Sequence, residues 1–353
     1  MKDVREKIRD SLITLTKDKN PESDGTITSN NPRPDDAITR GINSVRGIAT
    51  EALVAYSHYF SDDKVALDRL RELADDPTMA VKATLIYYLR YLIGKNFPLC
   101  EEIIGKFKNR RDAEIDFALV HFFSQLDCEK FLKYQDFIKL LFNNTNDQIN
   151  EDLGELIGYR FINGCDVQVL LDEIVGNRKG TKHTMRSLAF VLESQMGNLI
   201  GHSSDIKVAS YLKKLLGPQN EIEVAERAAF VFHRTETKPE HFEFMDKNGL
   251  TTELILNKYN LPAQSHLVDY LQSCVEKDVS IERCVELLHQ QVTTADSILS
   301  DHLIVRKIAE IIAKLIKTDL PAKTYDLLIE VFNAGLERGW DEFYTIYFDL
   351  NKK

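Results

Sequence analysis

Eight segments of this chain carry the same helical pattern of apolar residues at nearly constant spacing, and this repeat limits the possible folds more than any other feature. In each segment, an apolar or β-branched residue leads an apolar stripe at i+3, i+4 and i+7 or i+8, which is one face of an α-helix. The leading residues, here called the anchors, are Val45, Val81, Ile115, Ile149, Thr184, Val224, Leu267 and Val305. Successive anchors are 36, 34, 34, 35, 40, 43 and 38 residues apart. Two helices and two turns fill a step of this length, as in helical-repeat proteins.

A second set of amphipathic segments fills the gaps between the anchors. These are residues 64–74, 100–107, 133–142, 167–176, 205–217, 282–292 and 322–336. Turn-forming strings such as Asp75-Asp76-Pro77 separate the two sets. Because each helix pair of a repeat array packs only on its neighbours, the pattern predicts an all-α, right-handed α-solenoid of HEAT- or armadillo-like helix pairs. The alternative is a non-repetitive helical bundle, in which amphipathic helix pairs also show some self-similarity.

The chain divides into three predicted parts. Residues 1–17 read as one amphipathic N-terminal helix, with apolar residues at helical spacing at Val4, Ile8, Leu12 and Leu15. Residues 18–36 contain three prolines, a glycine and many small polar residues, which predicts a flexible linker. Residues 37–353 form the predicted solenoid of seven or eight helix pairs. The longer steps late in the chain predict a less regular array after residue 190.

Charge and cysteine content exclude several classes of protein. The formal net charge is −10, whereas proteins that bind nucleic acid along their length usually carry a basic face. The five cysteines form no CxxC pair, so we expect reduced, mostly buried thiols. The charged N-terminus lacks the apolar region of a secretory signal, and no stretch approaches 18 apolar residues. The sequence therefore predicts a cytoplasmic protein without a membrane partner.

No motif in the sequence marks a catalytic, cofactor or metal site. The string nearest to a phosphate-binding loop, residues 176–182, has the wrong spacing and follows a helix. The nine histidines form no HExxH motif. We place the acidic cluster of Asp112, Glu114 and Asp116 on a solvated helix face rather than in an acid–base pair. The prediction is a non-enzymatic protein without a cofactor, although residues distant in sequence can still assemble a site.

Two basic turns are candidate partner-binding sites. The first contains Arg110 and Arg111 with two neighbouring lysines, and the second contains Arg178, Lys179, Lys182 and Arg186. Equivalent turns of a solenoid lie along one edge, so the two turns would form a basic edge that binds phosphates or an acidic protein. Ordinary solvated turns are the alternative interpretation.

Aromatic residues give two further candidates. Tyr87, Tyr88 and Tyr91 cannot all face the core from one helix, so we expect at least one of them, with Tyr87 and Tyr91 as candidates, at a partner-binding surface. The C-terminal run of Trp340, Phe343, Tyr344, Tyr347 and Phe348 forms one apolar helix face. This face either seals the last repeat or docks a partner helix.

A resemblance to known proteins covers residues 35–93. The matching residues are Asn43, Ser44, Val45, Arg46, Gly47, Ala52, Leu53, Asp76, Pro77, Val81 and Lys82. The Asp-Pro turn followed by Val-Lys is similar to the second helix of a HEAT repeat, with lysine at 82 in place of the usual arginine. The whole segment resembles the repeat region of large bacterial proteins in which an NTPase or other effector module precedes the repeats. Many of those look like anti-phage defence proteins of the STAND NTPase kind.

The resemblance implies that this chain is the C-terminal recognition region of a larger bacterial defence-type protein. The implied partner is a protein, either a foreign or phage protein or an upstream effector module, and Arg46 and Lys82 join the candidate binding residues. We therefore predict a protein-binding scaffold or sensor module. The alternative is a nucleic-acid-binding helical-repeat protein that uses the basic edge.

Overall fold

A computed structural model describes residues 2–21, 33–109, 112–142, 144–257, 260–294 and 301–351. Within these ranges the regular elements are helices and there is no strand, which confirms the all-α prediction. None of the helices in the described ranges combines the length and the apolar composition that crossing a bilayer requires. The chain divides into two compact units: unit 1 is Met1–Leu156 with Cys165–Leu170, and unit 2 is Ile157–Gly164 with Leu171–Lys353.

Unit 1 is built from the helices in the first part of the chain. They are α1 Lys2–Leu15, α2 Asp36–Ile42, α3 Val45–Tyr59, α4 Lys64–Leu73, α5 Met79–Tyr88, α6 Phe97–Gly105, α7 Ala113–Ser124, α8 Cys128–Leu132, α9 Gln135–Leu141, α10 Asp147–Ile162 and α11 Gln168–Leu171. The last part of α10, from Ile157, and the last residue of α11 belong to unit 2. A 3-10 turn, Leu89–Leu92, continues α5. The helices that carry the first three anchors, α3, α5 and α7, pack on one another in chain order. The predicted linker falls mainly on residues 22–32, which lie outside the described residues.

Polar side chains connect successive anchor helices of unit 1. Arg46, at the start of α3, pairs with Asp76 in the turn before α5 and donates a hydrogen bond to Thr78. At the corresponding position of α7, Asp116 accepts a hydrogen bond of 2.6 Å from Asn144, in the turn before α10. Asp116 is therefore buried, only 2% exposed, and the expectation of a solvated face is wrong for this residue.

Helix α1 packs in a way that its apolar spacing does not predict. Val4, Ile8 and Leu15 are exposed, while the arginines of α1 face the rest of unit 1. Arg5 donates to Tyr56 at 3.2 Å, and both Arg5 and Arg9 lie 3.5 Å from the carboxylate of Asp63. Because these arginines find buried partners, the polar face of α1 docks and its apolar stripe faces outward.

Two of the five cysteines form a disulfide. Cys128, at the start of α8, is bonded to Cys165, between α10 and α11, and their Cα atoms are 5.5 Å apart. The expectation of reduced thiols is therefore wrong for this pair. An odd number of cysteines and the absence of CxxC do not reveal this bond, because it joins residues 37 positions apart in the chain. Cys100, Cys274 and Cys284 are free and buried, as expected.

Unit 2 continues with eleven helices in the described residues. They are α12 Lys182–Leu199, α13 Asp205–Leu216, α14 Ile222–Ala229, α15 Val231–Arg234, α16 Pro239–Lys247, α17 Leu250–Leu256, α18 Leu261–Glu276, α19 Ile281–Thr294, α20 His302–Leu315, α21 Ala322–Glu337 and α22 Asp341–Asn351. A π-turn, Asp172–Gly176, precedes them.

The helices of unit 2 form two rows. In one row α12 packs on α14, α14 and α15 pack on α18, α18 on α20 and α20 on α22; in the other, α13 packs on α17, α17 on α19 and α19 on α21. Additional helices account for the longer steps between anchors in this part of the chain. The single helix expected over 222–232 is split into α14 and α15, and α16 and α17 occupy the next gap, where we predicted no partner helix.

Candidate binding surfaces

An arginine surrounded by aromatic rings lies on the surface of unit 1. The guanidinium carbon of Arg90 is 4.3 Å from the ring centroid of Tyr87, 5.8 Å from that of Tyr88 and 5.1 Å from that of Tyr91. These residues lie where α5 passes into its 3-10 turn, and α7 contributes His121 beside them. We call these five residues the Arg90 cluster.

His121 fixes one side of the cluster. Its ring stacks on that of Tyr87 at 4.4 Å, and its Nε2 lies 3.0 Å from Nη1 of Arg90. Burial and the neighbouring charge of Arg90 both lower the pKa of His121. The imidazole is therefore neutral near pH 7 and accepts the hydrogen bond from Arg90.

The tyrosines differ in what they expose. Burial and a hydrogen bond to Glu51 raise the pKa of Tyr88 to about 12. This phenol therefore stays protonated near pH 7 and donates a hydrogen bond to the carboxylate. Tyr91 is 44% exposed, and its hydroxyl accepts a hydrogen bond of 3.3 Å from Nη2 of Arg90. On α3, Nδ1 of His58 lies 2.7 Å from the backbone carbonyl oxygen of Tyr91, and the next residue, Tyr59, is 78% exposed. The cluster thus presents phenol rings and hydroxyls at the surface, above the hydrogen-bonded side chains of Arg90 and His121.

Arg90 makes no ion pair with a carboxylate among the described residues. Its positive charge contacts ring faces, the Tyr91 hydroxyl and a neutral imidazole. A cation–π contact is worth about 0.5–1 kcal/mol when exposed and more when desolvated. An acceptor on a partner can therefore still bind this guanidinium.

The other candidates of unit 1 occupy different environments. Arg46 is 9% exposed and is used inside the unit, where it connects α3 to the turn before α5. Lys82 is half-buried on α5. Arg110 and Arg111 lie outside the described residues. Lys106, one of the two lysines of the first basic turn, pairs with Asp75 at 2.7 Å.

The second basic turn is largely paired within unit 2. Arg178 donates to the backbone carbonyl of Gln219 at 3.2 Å, and Lys179 lies 2.6 Å from Glu173. Lys182 lies 3.8 Å from a carboxylate oxygen of Glu223. Lys182 and the exposed Arg186 both line an open cavity of about 360 Å³. The local ion pairs reduce the basic character of this turn. A continuous basic edge joining it to the first turn stays a prediction.

A second aromatic arginine, which the sequence analysis missed, lies in unit 2. Arg227 on α14 is 4.4 Å from the ring of Phe190 and 4.9 Å from that of Phe230. It forms an ion pair of 2.5 Å with Glu193, whose side chain is fully buried. Arg234 on α15 lies 3.1 Å from the other oxygen of the same carboxylate. The signal in the sequence was an ionisable residue within the apolar stripe of α12, where Ala189, Glu193 and Met196 share one buried face.

Only part of the predicted C-terminal aromatic face is buried. Trp340 and Phe343 are buried, and Phe343 packs so closely on α21 that a Cβ atom at Gly335 would lie 2.4 Å from its ring. Tyr344, Tyr347 and Phe348, which follow Phe343 in α22, are exposed. Of the five aromatic residues, Trp340 before α22 and Phe343 within it are therefore the two that pack.

The described residues contain no group of three or more His, Cys, Asp or Glu side chains placed to hold a metal ion. Comparison with known proteins gives little help. No family model and no curated protein matches the chain. Among solved structures it is similar to the crystal structure of an engineered protein, with 13% identity, coverage of 97% of this chain and 98% of that chain, and a TM-score of 0.33. A TM-score this low carries no argument about fold or function.

Proposed function

We propose that this chain is a non-enzymatic, protein-binding module of HEAT-like helical repeats, and that the Arg90 cluster is its recognition surface. The observation that carries the proposal is Arg90 itself, an arginine held by three tyrosines without a carboxylate among the described residues. Tyrosine and arginine dominate the few residues that supply most of the binding energy in protein interfaces.

The geometry of the cluster favours binding because its side chains are already ordered. Stacking on His121 and the hydrogen bonds of Arg90 hold Tyr87 and Tyr91 in place. The side chains of the cluster therefore lose little conformational entropy when a partner binds. Immobilising a mobile side chain costs about 0.5–1.5 kcal/mol. Covering the cluster also desolvates Arg90. The partner must then supply an acceptor, a carboxylate or a backbone carbonyl, together with apolar area for the rings.

A binding experiment with matched variants tests this surface. The wild-type chain would be used to capture partners from bacterial lysates with and without phage infection, and the affinity of each captured protein would be measured with R90A and Y91A. We expect each substitution to weaken binding at least tenfold. R306A and Y325A serve as controls, because these residues of unit 2 are also exposed, with the side chain of Arg306 at 70% and Tyr325 at 38%. Partners that bind R90A as tightly as wild type would contradict the proposal.

The nucleic-acid alternative makes a different prediction in the same preparation. Binding of labelled DNA or RNA that weakens steeply with salt, and that is lost in K182A and R186A but retained in R90A, would favour the alternative. The ion pairs of Lys179 and Lys182 are the reason that we rank it second.

We also propose that the helix rows belong to a right-handed α-solenoid. The chain-order packing of α3, α5 and α7 in unit 1 and the two rows of unit 2 support this proposal, because repeat proteins pack each element on its sequence neighbours. Small-angle X-ray scattering tests it. A compact globule of 353 residues has a radius of gyration of about 20 Å, and a solenoid must give a clearly larger value. A measured value near 20 Å would exclude the extended array.

The resemblance of residues 35–93 supports one further proposal, that the chain acts as the recognition region of a larger bacterial defence-type protein. Its partner would then be a phage protein or an effector module. The gene sequence upstream of the codon for Met1 tests the proposal. An NTPase or nuclease module in frame supports it, and an unrelated upstream gene contradicts it.

A further inference from the structure

Unit 2 contains a polar cavity of about 630 Å³ beside the end of α12. Helix α12 lines one side, and the segment from the end of α15 into α16 lines the other. The lining residues are Ser194, Gly197, Asn198, Arg234, Glu236, Lys238 and His241. A cavity of this size suits a small organic ligand.

A buried carboxylate positions the arginine of this cavity. Glu193 is 0% exposed, and its second oxygen lies 3.1 Å from Nε of Arg234, while the first pairs with Arg227. The two terminal nitrogens of Arg234 make no hydrogen bond within the described part of the chain, and its side chain is 47% exposed. This contact is an ion pair without hydrogen-bond geometry. The charge of Glu193 therefore holds one side of the Arg234 guanidinium, and the donors of the other side are still available.

Two further polar groups of the lining also have no partner among the described residues. The Nδ1 atom of His241 is buried without a hydrogen bond, and the exposed side-chain amide of Asn198 makes none. A buried polar atom without a partner costs about 1–3 kcal/mol. Because this nitrogen is buried, a ligand in the cavity removes the cost only if the imidazole turns to present it.

In the ion pairs at and behind the cavity wall, three cations meet two carboxylates. Arg227 and Arg234 share the single carboxylate of Glu193, and Lys238 pairs with Glu236. A monoanion restores neutrality, whereas a phosphate monoester carries about −1.5 to −2 charges at pH 7. The planar fork of an arginine also matches a carboxylate with two parallel hydrogen bonds.

We propose that this cavity binds a small monocarboxylate, such as a free organic acid or the C-terminal carboxylate of a peptide. The carboxylate oxygens accept hydrogen bonds from the terminal nitrogens of Arg234 and from the amide of Asn198, and the remainder of the ligand lies along α12 towards His241. The proposal is independent of the Arg90 cluster, because each lies within a different unit.

The test uses the full chain and three probes. N-acetylglycine carries the carboxylate, N-acetylglycinamide is its neutral isostere, and inorganic phosphate is the competing anion. Calorimetry and the NMR amide signals of Gly197 and Asn198 report binding. We expect saturable binding of N-acetylglycine, at least tenfold weaker binding of phosphate and no response to the neutral amide. Acetate and benzoate, compared with N-acetylglycine, separate a general organic-acid site from one that selects a peptide terminus.

Two variants connect the binding to these residues. R234Q is expected to weaken N-acetylglycine binding at least tenfold, and R306Q, which alters an exposed arginine of α20, is expected to leave it unchanged. N198L removes a donor without touching Glu193, so it tests the site even if R234Q fails to fold. Equal binding of the neutral amide, tighter binding of phosphate, or unchanged affinity in both R234Q and N198L would overturn the proposal.

Discussion

Arg90 in unit 1 and Arg227 in unit 2 have similar aromatic surroundings and different chemical environments. Each guanidinium lies over two aromatic rings at 4.3–5.1 Å. Each is on or beside an anchor helix, and the nearby histidine is His121 for Arg90 and His266 for Arg227. Arg90 meets a neutral imidazole and phenol hydroxyls. Arg227 meets the fully buried carboxylate of Glu193.

The comparison teaches that the counter-charge, rather than the aromatic rings, decides what such an arginine does. The buried ion pair uses Nη2 of Arg227 inside the fold, and removing Arg227 leaves the buried Glu193 with Arg234 as its remaining cation. Without a carboxylate partner, we expect Arg90 to contribute less to folding than Arg227 and to keep its charge for a partner. The two arginines should therefore respond very differently to the same substitution.

The largest effect is expected from R227A. Loss of this guanidinium leaves Glu193 with only the partly exposed Arg234, so the free energy of unfolding should fall by about 3–5 kcal/mol. Denaturant unfolding, together with hydrogen exchange of the α12 and α14 peptides, would measure it. K207A, at an exposed position of α13, is the control. A loss below about 1 kcal/mol would show that the buried carboxylate does not fix the role of Arg227.

The disulfide gives the next largest effect, and only under oxidising conditions. Cys128 and Cys165 close a loop of 37 residues, which in the chain-entropy model stabilises the fold by about 3–4 kcal/mol. C128S should therefore lower the stability of unit 1 by this amount without reductant, and wild type with reductant should match it. C100S, which alters a free buried cysteine, is the comparison. An identical stability of wild type with and without reductant would argue against the bond.

Acid should weaken unit 2 through His266. Burial, followed by the neighbouring His233, lowers the pKa of His266 to about 4, and Lys307 and Arg227 lower it further while Asp269 opposes them. The unfolded chain, with a histidine pKa of about 6.5, binds this proton more readily than the folded chain. The stabilisation is thus complete above pH 6.5 and is lost as the pH falls from 6.5 to 4.

Because His266 is partly accessible, we expect a loss of about 1–2 kcal/mol over this range. Unfolding measured at several pH values should give a flatter profile for H266Q than for wild type. H202Q, which alters an exposed histidine before α13, should keep the wild-type slope. A slope of the opposite sign would contradict the assignment.

The smallest effect on stability is expected from R90A. Its hydrogen bond to His121 and its ring contacts are partly exposed, so the free energy of unfolding should change by less than about 1 kcal/mol. Parallel denaturant unfolding of R90A and R227A makes the comparison directly. Equal losses in the two variants would show that the two arginines have the same structural role.

The candidate surfaces were only partly visible in the sequence. Tyr87 and Tyr91 could be singled out because three tyrosines on one helix cannot all be buried, but Arg90 and His121 could not. His121 is 31 residues from Arg90, and only the packing of α5 on α7 brings them together. Glu193 could have been found as a charged residue within an apolar stripe. Its two arginines lie on α14 and α15, and the sequence gives no indication of which cations would meet it.

The sequence by itself determined that this protein is helical and where many of its helices lie, because a 3.6-residue apolar period and turn residues act locally. Tertiary structure alone decided which polar groups became partners. The outward apolar stripe of α1, the buried Asp116 and the Cys128–Cys165 bond all depend on residues far apart in the chain. Burying a charged group requires a partner at hydrogen-bond distance. Only the packing of the helices brings residues that are distant in sequence that close together.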